Sequence, residues 1–167
     1  MLLEIPDDEP LLAAAGRVAF AHGHLELALA RTIKTLTNLS LADADSATRG
    51  KKSWELRKRI EELFKQHTKD RVLWTRLDAI MGECVRVSEE RNHLIHSVWG
   101  RNDDDVLIIH SKSQGQTRAP TAAELNKLAQ DIENLVALIL NERREGGFIY
   151  EVYRAAFPKT EKNEPKR

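Results

Sequence analysis

The chain has 167 residues, which is enough for one domain with a moderate hydrophobic core. Its 26 basic and 26 acidic residues balance, which argues against a general nucleic-acid coat, although a local cluster of charge can still bind phosphate. Few Gly, Pro and aromatic residues favour helices over a sandwich or barrel. Neither a secretion signal nor an apolar run of membrane length is found, so we expect a cytoplasmic protein without membrane contact.

The first predicted helix begins near Pro10, directly after three acidic residues that suit a helix N-terminus. Its apolar stripe consists of Leu11, Ala15, Val18, His22, Leu25, Leu29, Ile33 and Leu36. Glu26 borders this stripe one turn beyond His22, so the two can form a structural hydrogen-bonded pair. Glu26 can also pair with a buried cation on another helix, and the sequence leaves both pairings open.

The region after the first helix combines a predicted loop with a short helix. Residues 40–50 lack a sustained apolar period and predict a loop. Residues 54–64 predict a short amphipathic helix capped by Ser53. A basic cluster spans the junction and consists of Arg49, Lys51, Lys52, Arg57, Lys58 and Arg59. Such a run is most often a solvated face, but it is the first candidate for phosphate contact in an RNA-binding protein.

A long central helix is predicted to run to about Trp99. Its apolar stripe consists of Leu73, Leu77, Ile80, Cys84, Val87, Leu94 and Val98, and Arg91 falls on that stripe. We therefore predict a partner for Arg91, and Glu26 is the candidate. Asn92 and His96 share a second face. Because Arg91 and His96 project about 140° apart on an ideal helix, they are expected to meet only near a distorted helix end or across two copies of the chain.

The last third of the chain predicts a hairpin and a final helix. Residues 106–110 are a strand candidate, 113–116 a turn, and 117–118 a short return. Thr121 and Glu124 form a capping box that opens the last amphipathic helix. Residues 148–153 predict a short helical or extended annex, and residues 158–167 predict a disordered tail.

The segment Arg91-Asn92-His93-Leu94-Ile95-His96 resembles the signature of HEPN domains, in which an arginine and a following polar residue precede a histidine near a helix end. The resemblance extends over residues 11–141, because the first helix carries a Glu on its apolar face and the chain closes on an amphipathic helix. The predicted fold is all-α. It is an up-down bundle of about four main helices with a small β-hairpin between the last two, forming a single domain over residues 1–157.

The resemblance implies a metal-independent endoribonuclease acting on single-stranded RNA as a homodimer. In this family the RNA 2′-hydroxyl attacks the adjacent phosphate, leaving a 2′,3′-cyclic phosphate and a 5′-hydroxyl. His96 would transfer a proton, Arg91 would hold the phosphate, and Asn92 would orient the histidine or a phosphate oxygen. The substrate-binding candidates are Arg49, Lys51, Lys52, Arg57 and Arg101. The expected partners are a second copy, RNA, and a cognate antitoxin or other protein, and no cofactor is expected.

Two other interpretations stay open from the residues. His93 and His96 are spaced for metal binding beside Glu89 and Glu90, and histidines of the first helix could complete such a site. No Glu-x-x-His pair recurs on another helix, so no metal is predicted. The second alternative is a non-catalytic helical dimer that binds a protein or nucleotide partner. In that case Arg91 belongs to a buried structural network with Glu26.

Overall fold

The computed structural model describes residues 2–3, 5–111 and 115–158. Within those ranges, most residues are helical and a small antiparallel sheet accounts for the strands. The helices are α1 (Glu9–Thr37), α2 (Leu41–Thr48), α3 (Ser53–His67), α4 (Arg71–His96), α5 (Ala122–Glu142) and α6 (Phe148–Ala156). The prediction of a largely helical protein is confirmed, but the described residues form six helices rather than about four, and a sheet rather than a lone hairpin.

The chain groups into two compact units. Unit 1 comprises Met1–Leu25 and Gly82–Val136, and unit 2 comprises Glu26–Met81 and Ala137–Arg167. The prediction of a single domain over residues 1–157 stays a prediction. The predicted disordered tail lies outside the described residues except for Pro158.

Unit 1 is held by an apolar core and by polar contacts between its helices. Its core residues include Leu11, Val18, Leu25, Leu94, Ile108, Ile109, Leu125 and Ile132. The α1 stripe predicted from the sequence supplies the first three of these residues. At the edge of this core, an Arg17 guanidinium nitrogen donates to Asn126 Oδ1 at 2.7 Å and links α1 to α5. The long apolar periods therefore mark the core correctly, because burial on one helix face recurs every three to four residues.

The sheet of unit 1 has four antiparallel strands in the order β1 (Leu2–Leu3), β2 (Val98–Arg101), β3 (Leu107–Ser111) and β4 (Gly115–Arg118). The predicted strand and its short return correspond to β3 and β4, so that hairpin is confirmed. Part of its predicted turn lies outside the described residues, and Gly115 and Gln116 belong to β4. The second strand, β2, was not predicted and pairs with β3 through Trp99 opposite Ile109.

The prediction that α4 extends to Trp99 is wrong, because the helix ends at His96 and Val98 is an exposed strand residue. Two side chains donate hydrogen bonds to backbone carbonyls at this end of α4. Ser97 Oγ donates to the His93 carbonyl, and Trp99 Nε1 donates to the Leu94 carbonyl at 3.3 Å. The final carbonyls of a helix have no partner inside it, so these contacts stabilise the turn into β2.

Unit 2 contains an additional helix where a loop was predicted. Residues 41–48 form α2, with Ser40 as its N-cap; the Ser40 hydroxyl accepts from the Asp43 N–H at 3.2 Å. Ala44 is the buried residue of this helix, so the sequence contains no apolar stripe from which α2 could be predicted. Capping and docking of one small residue stabilise a segment that periodicity alone assigns to a loop.

The predicted cap of α3 is also wrong. Lys52 occupies the N-cap position, and Ser53 is the first helical residue, whose Oγ accepts from Arg57 at 3.1 Å. Further along, Phe64 packs edge-on against Trp74 and Phe148 at centroid distances of 5.6 and 5.8 Å. These ring contacts tie α3 to α4 and to α6, so the predicted annex is a helix within unit 2.

The predicted capping box at the start of α5 is confirmed. Thr121 Oγ1 accepts from the Glu124 N–H at 3.2 Å, and the Glu124 carboxylate accepts from the Thr121 N–H at 2.7 Å. Arg118 approaches the same carboxylate with two nitrogens at 2.6 and 3.0 Å. The bond from Arg118, followed by those from Thr121, lowers the pKa of Glu124 to about 2.

Candidate active site

The Arg-Asn-x-x-x-His motif occupies the last turns of α4 in unit 1. Arg91 is half-buried on the apolar stripe, whereas Asn92 and His96 are exposed. The exposed side of α4 also carries Val85 and Glu89 at helical spacing from them, so the prediction that Asn92 and His96 share one face is confirmed.

The Arg91 guanidinium has one nitrogen in use and one without a partner. One Nη donates to Asn92 Oδ1 at 3.0 Å. Its Nε is buried and makes no hydrogen bond with any described residue. A buried donor without a partner costs on the order of 1–3 kcal/mol.

The His96 imidazole is exposed at the last residue of α4. Within the described ranges, it makes no hydrogen bond, ion pair or ring contact. Asn92 lies one turn before it on the same exposed face. The imidazole is therefore accessible to a ligand that approaches this face.

His93 lines a cavity that sequence reasoning missed. The cavity has a volume of about 450 Å³ and is also lined by Arg86, Glu90, Arg118 and Glu124. The His93 Nδ1 atom is buried and has no hydrogen-bond partner among the described residues. The sequence shows the charged residues, but only the packing of α4, β4 and α5 brings them to one cavity.

Arg86 is the most heavily paired cation of this cavity. It contacts Glu83 at 2.9 Å, Glu90 at 2.8 Å and Asp131 at 3.5 Å. The bonds to Glu83 and Glu90 raise the pKa of its guanidinium. Its charge is thereby compensated within unit 1.

An apolar groove of about 430 Å³ lies beside the motif in unit 1. It is lined by residues of the N-terminal segment, α1, α4 and β2, among them Leu3, Ile5, Leu12, Ile95 and Trp99. Leu3 is 70% exposed, Ile5 82% and Ile95 44%. Ile95 precedes His96 directly, so an apolar surface borders the imidazole.

The candidate substrate-binding residues fall in both units. Arg49, Lys51, Lys52 and Arg57 surround the start of α3 in unit 2, and the first three are exposed. Arg101 lies in β2 of unit 1, where it donates to the Asp105 carbonyl at 2.8 Å. The structure therefore groups four of the five in one surface segment.

His22 and Glu26 also fall in different units. His22 is buried in unit 1, and its Nε2 lies 3.1 Å from Ser88 Oγ, a partner that the sequence did not indicate. Glu26 is half-buried in unit 2. The predicted pairings of Glu26 with His22 or with Arg91 stay predictions.

Metal-binding clusters and membrane-spanning helices were sought among the described residues. In that part of the chain, no group of three or more His, Cys, Asp or Glu side chains is placed to hold a metal ion. Over the same ranges, no helix has both the length and the apolar character needed to cross a membrane.

Comparison of the chain with protein-family models, curated proteins and solved structures found no match.

Proposed function

We propose that the chain is a metal-independent endoribonuclease that cleaves single-stranded RNA and acts as a homodimer. The observation that carries the proposal is the arrangement at the end of α4, where an accessible imidazole follows a partly unpartnered guanidinium by five residues. The resemblance of this segment to the HEPN signature supplies the reaction. No cofactor takes part in it.

The reaction needs one proton acceptor, one proton donor and a cation. His96 takes the proton of the RNA 2′-hydroxyl, whose oxygen then attacks the adjacent phosphorus. The bond to the 5′-oxygen breaks, and that oxygen accepts a proton from His96 of the second copy. The products are a 2′,3′-cyclic phosphate and a 5′-hydroxyl. A histidine suits both transfers because its ordinary pKa lies near neutrality.

Arg91 binds the phosphate and stabilises the additional negative charge of the pentavalent transition state. A guanidinium presents several N–H donors in one plane, which matches two phosphate oxygens at once. Asn92 orients this guanidinium through the 3.0 Å hydrogen bond.

The geometry of the helix supports a homodimer. Residues five positions apart project about 140° from each other, so one copy does not direct Arg91 and His96 at the same phosphate. The apolar groove beside His96 supports assembly, because exposed apolar surface next to a polar site is typical of protein interfaces. Arg91 of one copy would then act with His96 of the other.

The test is incubation of labelled single-stranded RNA with EDTA-treated protein, followed by identification of the ends. We expect cyclic phosphate and 5′-hydroxyl ends. His96→Ala should reduce the rate by at least about 100-fold, the lower range for loss of a general acid or base. His110→Ala is the matched control, because His110 is also an exposed histidine of unit 1 and lies outside the motif. Equal cleavage by the two variants would exclude the mechanism.

A second candidate function is a non-catalytic dimer or a protein that binds an apolar partner, such as a cognate antitoxin. The groove with the exposed Leu3 and Ile5 favours this candidate. Substitution of Arg91 distinguishes the two functions. An arginine with a structural role is needed for folding, whereas an arginine that binds phosphate is not. Absence of cleavage together with sharp destabilisation by Arg91→Ala would favour the second candidate.

A further inference from the structure

Unit 2 contains a groove formed by the end of α1, by α2 and by the first turns of α3. Its volume is about 410 Å³, which lies in the range of small-ligand sites. Ile33, Leu39 and Leu56 contribute its apolar part. Lys51 and Trp54 line the side formed by the start of α3. The groove therefore combines an apolar floor, an aromatic ring and positive charge.

Trp54 is the unusual residue of this groove. Its side chain is 56% exposed, although indole is among the most costly side chains to leave in water. Within the described ranges, its ring stacks on no other ring and its N–H donates to no other group. Trp74 of the same unit differs, because its ring packs against Phe64 and its Nε1 donates to the Thr68 carbonyl at 3.3 Å. Trp54 thus offers a flat apolar face to a ligand.

Positive charge is concentrated around this indole. The segment 49–59 carries the six cations of the basic cluster and one anion, Glu55, whereas the whole chain is neutral. Lys58 lies one helical turn after Trp54, lines the same groove, and makes no ion pair within the described ranges. Arg49 likewise forms no ion pair there. Cations without an ion pair can contact the phosphate of a nucleotide, and an exposed indole beside them can stack on its base.

Two carboxylates also line the groove, and both are engaged. Glu55 accepts from the Lys52 N–H at 2.9 Å and lies 3.5 Å from Lys51. The bond from the Lys52 N–H is the main reason that the pKa of Glu55 lies below its usual range. Glu62 lies 3.3 Å from Arg59. Because these anions are balanced by cations of the same groove, Lys58 leaves its net charge positive.

We propose that this groove binds single-stranded RNA, with one unpaired base stacked on Trp54 and an adjacent phosphate on Lys58. An unpaired base is required because only a splayed base exposes a face for stacking. The inference rests on the proposed function for its choice of RNA, and it adds a docking site that the motif does not include. An acidic peptide would use the same cations, but it would have no need for the exposed indole.

The test measures binding of a labelled 2′-O-methyl RNA oligomer by fluorescence anisotropy. This probe has no free 2′-hydroxyl, so the proposed cleavage cannot alter it during the measurement. We expect Trp54→Ala to weaken binding by about 5- to 150-fold, which corresponds to one stacked base at 1–3 kcal/mol. Trp54→Phe keeps an aromatic face and should bind within about threefold of the unmodified chain. Because Trp54 is exposed, both variants are expected to fold.

The contribution of positive charge to RNA binding is tested by substituting two lysines of α3, one at a time. Lys58→Ala should weaken binding and flatten the salt dependence by about 0.7 units of the logarithmic slope, the value for one phosphate contact on a single strand. Lys65→Ala removes the same charge from an exposed position of α3 that does not line the groove. It should leave that slope nearly unchanged.

The outcomes test RNA binding by the groove independently of RNA cleavage by the motif. Binding that requires Trp54, without cleavage of ordinary RNA, would support the groove and remove the proposed nuclease. Cleavage that persists with unchanged RNA affinity in Trp54→Ala would leave the nuclease and overturn the groove. Failure to bind the oligomer, or equal competition by a polyglutamate peptide, would also overturn the groove.

Discussion

One guanidinium nitrogen of Arg91 donates to the side-chain oxygen of Asn92 at 3.0 Å, although the two residues are neighbours on α4. Successive residues of a helix project about 100° apart, so this bond draws the guanidinium away from the half-buried stripe. The guanidinium moves toward the exposed face that carries Asn92 and His96. The proposed mechanism uses this orientation, because a phosphate on this exposed face then meets the guanidinium of one copy while His96 of the second copy acts on the same phosphate.

Asn92→Ala should lower the rate of RNA cleavage about fivefold with little change in melting temperature. One neutral hydrogen bond contributes about 1 kcal/mol, which corresponds to that factor in rate. The stability should change little because Asn92 is exposed. The control is Asn126→Ala, which removes another exposed asparagine that accepts a bond from an arginine. A similar loss of rate in both variants would contradict a specific role for Asn92.

Arg91→Met should abolish cleavage without lowering the melting temperature. Methionine removes the buried Nε that has no described partner, so the desolvation cost of about 1–3 kcal/mol disappears. A gain of about 1 kcal/mol corresponds to about 2–4 °C for a chain of this size. Arg91→Lys keeps the charge but loses the planar donors, and it should also cleave poorly. Differential scanning calorimetry measures the melting temperature, and the RNA assay measures the rate of cleavage. A melting temperature lowered by many degrees would instead assign Arg91 to a structural network.

Ile95→Glu should convert the proposed homodimer to a monomer and reduce RNA cleavage in proportion to the dimer lost. Ile95 is 44% exposed and lines the apolar groove beside His96, so a carboxylate there would be desolvated on association. Val106→Glu is the control, because Val106 is 49% exposed and does not line that groove. Sedimentation equilibrium distinguishes the two species. If the Ile95→Glu variant stayed dimeric, the interface would lie elsewhere on the molecule.

Glu124→Gln should destabilise the protein at neutral pH but not in strong acid. The pKa of Glu124 is lowered to about 2 from an ordinary value of 4.5, mainly by Arg118 and then by the cap at Thr121. A carboxyl group with a lowered pKa stabilises the fold above its ordinary value and loses that effect as the pH falls through the lowered one. The difference in melting temperature between the two chains should therefore be constant above about pH 4.5 and vanish near pH 2. A difference independent of pH would contradict this assignment.

Much of the candidate site is predictable from the sequence because it depends on one helix. The spacing of Asn92 and His96 places them on one face of α4, and both are exposed there. The apolar period likewise places Arg91 on the buried stripe. The cavity around His93 and the groove around Trp54 were not predicted. Each requires side chains from several elements, whose packing the local pattern does not show.

Local patterns in the sequence predict the long amphipathic helices and the capping box at Thr121, since these depend on contacts within a few positions. The end of α4 depends on tertiary packing. Val98 and Trp99 continue the helical pattern, yet β2 pairs with β3 and with β1, and β1 lies so far away in the sequence that this pairing leaves no local signal. Tertiary packing also decided that His22 meets Ser88, because a buried polar group takes whichever partner the packing brings within reach.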